Sequence, residues 1–281
     1  MSISLTGHFD LRLTLNSGQI FHWKETSPGV FIVIQKNTVL KIRQKGNFEI
    51  ILDQFGVKLG KGDLKRLIGL RKNRSKIYNT LLKDQLIKPF VSDLRGLTIM
   101  HQDPYECLIS FMTSSMSNIP RIMLNLKNLR IIGNSIIEGT TEYLFPSPKG
   151  IVSLGENKLR KIGLGYRAKY INLVCKKINR EKIDFQNWKR KTDQELKLDL
   201  MNFPGVGNKI SECVMLFGFG RSGAFPIDIW IKRALLALKP TLNGLTNEEL
   251  CIWGKNRWGE NAGIAQQILF VAIRNGQIPY K

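Results

Sequence analysis

The hydrophobic period of this chain changes near residue 60, and a chain written in two periods cannot fold as one uniform architecture. Before that point apolar residues alternate. Asp10-Leu11-Arg12-Leu13-Thr14-Leu15-Asn16 sets Leu11, Leu13 and Leu15 on one face, the pattern of a half-buried strand. Ser17-Gly18 reads as a turn before Ile20-Phe21-His22-Trp23, and Ser27-Pro28-Gly29 as another before an apolar run over 30–34. Residues 39–43 and 48–52 read as further strands, so the expectation is a small antiparallel sheet. From Gly62 onward the spacing becomes helical: Leu64, Leu67, Ile68 and Arg71, then Ile77, Leu81 and Leu82. Asp103-Pro104 begins a helix with a capping side chain and a proline at the first helical position. Further helices are predicted over 119–132, 167–178, 193–201, 208–218, 227–238, 247–258 and 261–273. The fold class expected is α+β: an antiparallel β-rich domain over residues 1–95, packed on a mostly helical domain over 96–281.

Charge points to the partner. The chain has 43 Lys+Arg against 22 Asp+Glu, a formal net charge of +21. Both halves are basic, so the charge is not a detachable tail. Such a charge repels itself in a compact fold and is usually matched by a polyanion. Nucleic acid is the first candidate and an anionic membrane surface the second, although no helix with a Lys/Arg face opposite a Trp/Leu face stands out. Between Lys58 and Lys76 there are eight basic residues and one acid, Asp63, which suits either a solvated face or a surface that follows phosphates. No run of about eighteen apolar residues is present, and the first residues do not resemble a secretory signal. Cys107, Cys175, Cys213 and Cys251 are too far apart for a CxxC metal knuckle, which favours a reducing intracellular compartment.

The most informative segment is Phe203-Pro204-Gly205-Val206-Gly207-Asn208-Lys209. Pro204 presets φ, while Gly205 and Gly207 permit positive φ and close backbone approach, so a tight turn between two helices is expected. The second helix would begin at Asn208, a good capping residue, and aim free backbone N–H groups in one direction, which suits a phosphate. An ordinary helix–helix turn explains the glycines equally well. Lys209 shifts that balance. A cation in the first turn opposes the helix macrodipole, so its placement makes more sense if the amine is used. Deprotonated by desolvation and local positive potential, a lysine attacks electrophilic carbon and forms a Schiff base. Asp228, in Ala224-Phe225-Pro226-Ile227-Asp228-Ile229-Trp230, is either a plain helix cap or a carboxylate returning to the lysine.

The hairpin with Lys209 and Asp228 resembles the helix–hairpin–helix DNA glycosylase superfamily, and the lysine places the likeness with its bifunctional branch. Cys213, four residues after Lys209, is a pairing shared with the 8-oxoguanine DNA glycosylases. The resemblance to that family runs nearly end to end. Asn16-Ser17-Gly18-Gln19-Ile20-Phe21-His22-Trp23 looks like its N-terminal strand motif, which implies that the Gly18 carbonyl reads the N7–H of 8-oxoguanine. Gln102-Asp103-Pro104-Tyr105-Glu106-Cys107-Leu108 with Ser114-Ser115 resembles the helix leading to the DNA-intercalating loop. Arg121 matches an arginine that reads the opposite cytosine. In Gly163-Leu164-Gly165-Tyr166-Arg167-Ala168 the match implies that Tyr166 wedges into the base stack and Arg167 contacts the estranged cytosine. Ala262-Gly263-Ile264-Ala265-Gln266-Gln267-Ile268-Leu269-Phe270 is similar to the last helix, with Gln266 on the Watson–Crick edge of the flipped base and Phe270 and Cys213 sandwiching it. Two positions depart from the pattern. Met116 stands where the family has an asparagine that touches the opposite cytosine, and Trp230 where it has a histidine near the phosphate.

The resemblance implies a DNA glycosylase and abasic-site lyase. Lys209 would attack C1′ of a damaged nucleotide, Asp228 would stabilise the charged sugar, and neither metal nor organic cofactor would be needed. The partner implied is double-stranded DNA carrying a damaged base, bound by a monomer inside the cell. A glycosylase for another oxidised base and a non-enzymatic helix–hairpin–helix DNA-binding protein are the alternatives. The second of these needs neither Lys209 nor the Gln266/Phe270 pair.

Overall fold

The computed structural model describes residues 1–5, 7–47, 49–70 and 73–280. Phe48 and Arg71, both used in the periodicity reading, lie outside the described residues. Five strands, β1 (Ser2–Ser4), β2 (Trp23–Ser27), β3 (Val30–Gln35), β4 (Thr38–Lys45) and β5 (Glu49–Gly56), form one antiparallel sheet of order β1-β5-β4-β3-β2. Helix α1 (Leu11–Asn16) precedes β2, and α2 (Lys61–Leu67), α3 (Arg74–Leu81) and α4 (Lys88–Val91) follow the sheet. The helical remainder comprises α5 (Pro104–Thr113), α6 (Ile119–Gly133), α7 (Pro148–Leu159), α8 (Arg167–Glu181), α9 (Phe185–Trp188), α10 (Asp193–Met201), α11 (Asn208–Phe217), α12 (Ile229–Leu238), α13 (Asn247–Trp258) and α14 (Ala262–Arg274). No helix among the described residues is long and apolar enough to cross a membrane.

The segment expected as the first strand is a helix. The Asp10 side chain accepts a hydrogen bond from the Leu13 N–H at 2.8 Å, closing the first turn of α1. Leu11 and Leu15 are then four residues apart on one buried face. In a six-residue window Leu-x-Leu-x-Leu fits both periods, and the cap decides. The 16–23 segment likewise is not a strand: only Trp23 enters the sheet, and Gly18 turns with φ +74°.

Among the described residues two large apolar cores result, beside a small cluster of Ile34, Val39 and Ile137. Ile3, Phe31, Leu40, Ile42 and Ile50 of the sheet enclose Leu11, Leu15, Leu64 and Leu67. The other core draws on α3 to α14 and also takes Phe21. A buried polar cluster fastens the chain after Gly18 to the helices. Arg130 donates to His22 Nδ1 at 3.2 Å, to the Tyr143 carbonyl at 3.0 Å and to Glu106 Oε2 at 3.0 Å. His22 Nε2 lies 3.0 Å from Ser110 Oγ. Because Nδ1 accepts, the imidazole is neutral with its proton on Nε2.

This cluster has a pH signature. Burial, then Arg130, hold the His22 pKa well below 6.5. Below pH 6.5 the unfolded chain therefore binds a proton that the folded chain refuses, and stability falls on acidification. Glu106 acts oppositely, since burial, resisted by Arg130, raises its carboxyl to about 7. His22→Gln keeps an acceptor for Arg130 and a donor for Ser110 while removing the titration. The stability difference between wild type and His22→Gln, from urea unfolding, is expected to shift against wild type by about 1 kcal/mol between pH 6.5 and 5.5, the order set by one proton. A pH-independent difference contradicts a neutral buried His22.

Candidate active site

Helices α10 and α11 meet at the turn 202–207. Phe203 and Val206 are buried and pin it to the core. Gly205 has φ +78°, and a Cβ there would fall 2.8 Å from Tyr170 Cγ, so only glycine fits. Gly207, not Asn208, is the N-cap of α11; it makes no side-chain cap bond, and a Cβ there would meet nothing within 4 Å. The turn thus presents uncovered backbone at a helix N-terminus. Asn208 instead begins the helix, with Oδ1 buried and unpartnered.

Lys209 is the second residue of α11, but its side chain leaves that helix for the end of another. Nζ donates to Ser114 Oγ at 2.7 Å. Ser114 is the C-cap of α5, and its hydroxyl in turn donates to the Phe111 carbonyl at 2.7 Å. The ammonium also lies 5.3 Å from the Phe111 ring centroid. The cation that opposes the dipole of α11 is therefore received at the negative end of α5. A hydrogen bond to a charged group contributes about 1.5–3 kcal/mol.

Asp228 is the N-cap of α12: Oδ1 accepts from the Ile231 N–H at 2.9 Å. The approach to it is held by Glu212, buried on α11, whose Oε2 accepts from the Phe225 N–H at 3.0 Å while Oε1 meets Lys255 at 2.6 Å. One helix thus carries Lys209 and also fixes the strand-like segment that ends in Asp228.

Lys209, Asp228, Gly18, Cys213, Gln266, Phe270 and Trp230 all line one cavity of about 300 Å³. Gln266 is buried; its Nε2 donates to the Pro226 carbonyl at 3.2 Å, and its Oε1 accepts from Gln267 at 3.0 Å. Burial, with smaller opposed effects of Lys209 and Asp228, pushes the Cys213 thiol up to about 12, so at neutral pH it is an uncharged wall. Arg274, which the sequence reading missed, also lines the cavity, its guanidinium 5.4 Å from the Phe270 ring centroid. Desolvation lowers the pKa of Arg274, and the Asp228 carboxylate acts against that. The signal was available: Arg274 follows Phe270 by four residues on the same helix face. Size alone does not single this cavity out. One of about 370 Å³ opens between α6 and the β2–β3 edge, but it contains neither the hairpin nor Asp228.

The remaining residues gather outside the cavity. Met116 is 92% exposed and held at φ +49°. Arg167 fixes it: Nε donates to the Ser115 carbonyl at 2.8 Å and Nη2 to the Met116 carbonyl at 3.0 Å. The same guanidinium lies 4.8 Å from the Tyr166 ring centroid. Arg121 lies against Gly163, where a Cβ would come within 2.9 Å of Nη2. Arg167 thus joins two exposed apolar side chains, Met116 and Tyr166, that are remote in sequence.

Family models match most of the chain. Residues 2–108 match the 8-oxoguanine DNA glycosylase N-terminal domain, and residues 115–250 match the HhH-GPD superfamily base excision DNA repair proteins. The chain belongs to the 8-oxoguanine DNA glycosylase family. It is 29% identical to the N-glycosylase/DNA lyase OGG1 of Arabidopsis thaliana, over 93% of this chain and 76% of that protein. It is 26% identical to a probable N-glycosylase/DNA lyase of Methanothermobacter thermautotrophicus, over 94% of this chain and 93% of that one. Among solved structures it resembles the Clostridium acetobutylicum 8-oxoguanine glycosylase/lyase in complex with double-stranded DNA containing cytosine opposite 8-oxoG. That match has TM-score 0.88 and 26% identity and covers 99% of each chain.

Gly18 tests how tightly the cavity is built. A Cβ there would sit 3.0 Å from both Ile119 Cδ1 and Phe270 Cε1, on a backbone at φ +74°. Gly18→Ala is expected to cost about 1–3 kcal/mol in denaturant unfolding, the range for a non-glycine residue forced into this region. A loss below about 0.3 kcal/mol contradicts the placement of Gly18 against Phe270.

Proposed function

We propose that this chain excises 8-oxoguanine from double-stranded DNA and then nicks the strand, using Lys209 as nucleophile and Asp228 as its electrostatic partner. The observation that carries the reading is that Lys209 and Asp228, from separate helix starts, line one cavity with Gly18, Cys213, Gln266 and Phe270.

A base inside a duplex is out of reach of a side chain, so it must be extruded, at a cost of a few kcal/mol. The N–H groups of Gly205 and Gly207 suit a backbone phosphate, that of Val206 being spent on the Phe203 carbonyl, and the exposed Met116 and Tyr166 suit the space the base leaves. The cavity takes the flipped base: Phe270 and Cys213 offer its faces an aromatic ring and a neutral thiol, Gln266 offers its edge an amide, and the Gly18 carbonyl accepts from N7–H. Lys209, once it has given up a proton, attacks C1′. The new C1′–Nζ bond forms as the glycosidic C1′–N9 bond breaks and the base leaves with its electron pair. Helix capping occupies Asp228 Oδ1, and the carboxylate faces the positive charge that develops on the sugar. The adduct opens to a Schiff base. Loss of the C2′ proton then expels the 3′ phosphate, breaking C3′–O3′ and cutting the strand 3′ to the lesion.

Wild type is expected to release free 8-oxoguanine and nick a duplex carrying it. Lys209→Gln should do neither while keeping most of its binding, and Asp228→Asn should lose at least about 10²-fold in single-turnover rate at little cost in affinity. Base release by Lys209→Gln removes the nucleophile assignment. A near-normal Asp228→Asn rate reduces Asp228 to a helix cap.

Met116 bears on the opposite base. A thioether is a weak acceptor with no donor, so it fills a void without reading cytosine. Met116→Asn is expected to raise the preference for cytosine opposite the lesion by a factor of about 5–150, the equivalent of 1–3 kcal/mol. The check is single-turnover rates against all four opposite bases. A wild-type preference above about 10³-fold, unchanged in Met116→Asn, contradicts this.

A further inference from the structure

The cavity mouth between α12 and α14 carries a cluster that the chemistry above does not use. Trp230 and Tyr280 meet edge to face, their centroids 5.6 Å apart at 89°. The Arg233 guanidinium sits in the corner they make, 5.5 Å from the Trp230 centroid and 5.2 Å from that of Tyr280. Arg274 lies over Phe270 in the same way. Trp230, Phe270 and Arg274 all line the cavity, and Arg233 lies one turn beyond Trp230 on α12.

What distinguishes these two arginines among the described residues is that they sit on aromatic rings and yet leave their donors unspent. Arg12, Arg130, Arg221 and Arg257 meet carboxylates, and Arg167 binds two carbonyls. Among the described residues Arg233 and Arg274 have neither an ion pair nor a hydrogen bond. Both are exposed. A guanidinium on a ring is held through its face, and its five N–H donors point from its edge. That geometry suits bidentate binding of a phosphate rather than diffuse attraction.

We propose that Arg233 and Arg274 are a ring-mounted phosphate clamp that grips backbone phosphates of the lesion-bearing strand beside the extruded nucleotide. The clamp rests on the reading of the cavity as the site that receives a flipped base. It adds a strand contact at the cavity mouth, on the α12–α14 side, distinct from the hairpin glycines. Trp230 serves it as the platform for Arg233 and need not itself touch DNA. Each arginine neutralises one phosphate.

The test uses the full chain and a duplex carrying one tetrahydrofuran abasic analogue, which cannot be cleaved, so binding is read apart from chemistry. For each of Arg233→Gln and Arg274→Gln the slope of log Kd against log salt is expected to flatten by about 0.9, the value for one phosphate contact on duplex DNA. Arg→Lys at either site should keep most of the slope and still weaken binding, since the fork and the stacking are lost. Single methylphosphonates placed along the analogue strand locate the contact. One position that weakens wild type should have no effect on Arg274→Gln, and another none on Arg233→Gln. Unchanged slopes in both variants, with every methylphosphonate costing variants and wild type equally, overturn the clamp. So does an Arg274→Gln variant that binds normally but turns over slowly, the mark of an arginine that serves Asp228 instead. If wild type shows no preference for the analogue duplex over an undamaged one, the functional reading itself fails. A clamp failure alone leaves that preference intact.

Discussion

The hydrogen bond from Lys209 to Ser114 is the contact on which the site depends, because it resolves a conflict in the sequence. A lysine at the start of α11 is electrostatically misplaced, by a few tenths to about 1 kcal/mol. The fold answers by bringing the end of α5 to its amine, so one helix terminus compensates another. This requires α5 and α11 to lie side by side, and the stacking of Phe111 on Phe217 at 5.3 Å fixes that pairing. Among the described residues no carboxylate is in direct contact with the amine, which leaves it oriented but not locked into an ion pair.

The remaining site residues follow from the same helix pair. Glu212 on α11 holds the segment leading to Asp228, Cys213 forms a wall, and α14 sends Gln266 and Phe270 into the cavity from the other side. The β-rich part contributes through Gly18, in the turn between α1 and β2, whose segment is fastened to α5 and α6 by the His22–Arg130–Glu106 cluster. The β-rich part is thus a wall of the cavity and not an appendage. Its attachment depends on buried polar groups that satisfy one another, the condition under which such a network rigidifies a fold.

Much of this was legible in the sequence, for physical reasons that differ by element. Helices α10 and α13 matched the residues predicted because each opens on a Thr-x-x-Glu capping box. The strand reading of 10–16 failed because three leucines in a short window fit both periods. Helix α7 escaped notice because Gly155 interrupts its helical geometry at φ +73° and blurs the period. At the site, the hairpin and Lys209 were readable from the glycines and from the misplaced charge. Ser114 as the partner of the lysine was not, since the contact joins residues far apart in the chain. Arg274 carried only a helical spacing, and its meaning appears once α12 is seen beside it.

The central claim is that one amine among the many lysines of this basic chain becomes bonded to the sugar. Reduction of the reaction on an 8-oxoguanine duplex with sodium borohydride, followed by proteolysis and mass spectrometry of the trapped peptide, reads that bond directly. The account predicts a single deoxyribose-derived adduct on the peptide containing Lys209, formed only with lesion-bearing DNA. An adduct on any other lysine, or base release with no trappable adduct, contradicts it.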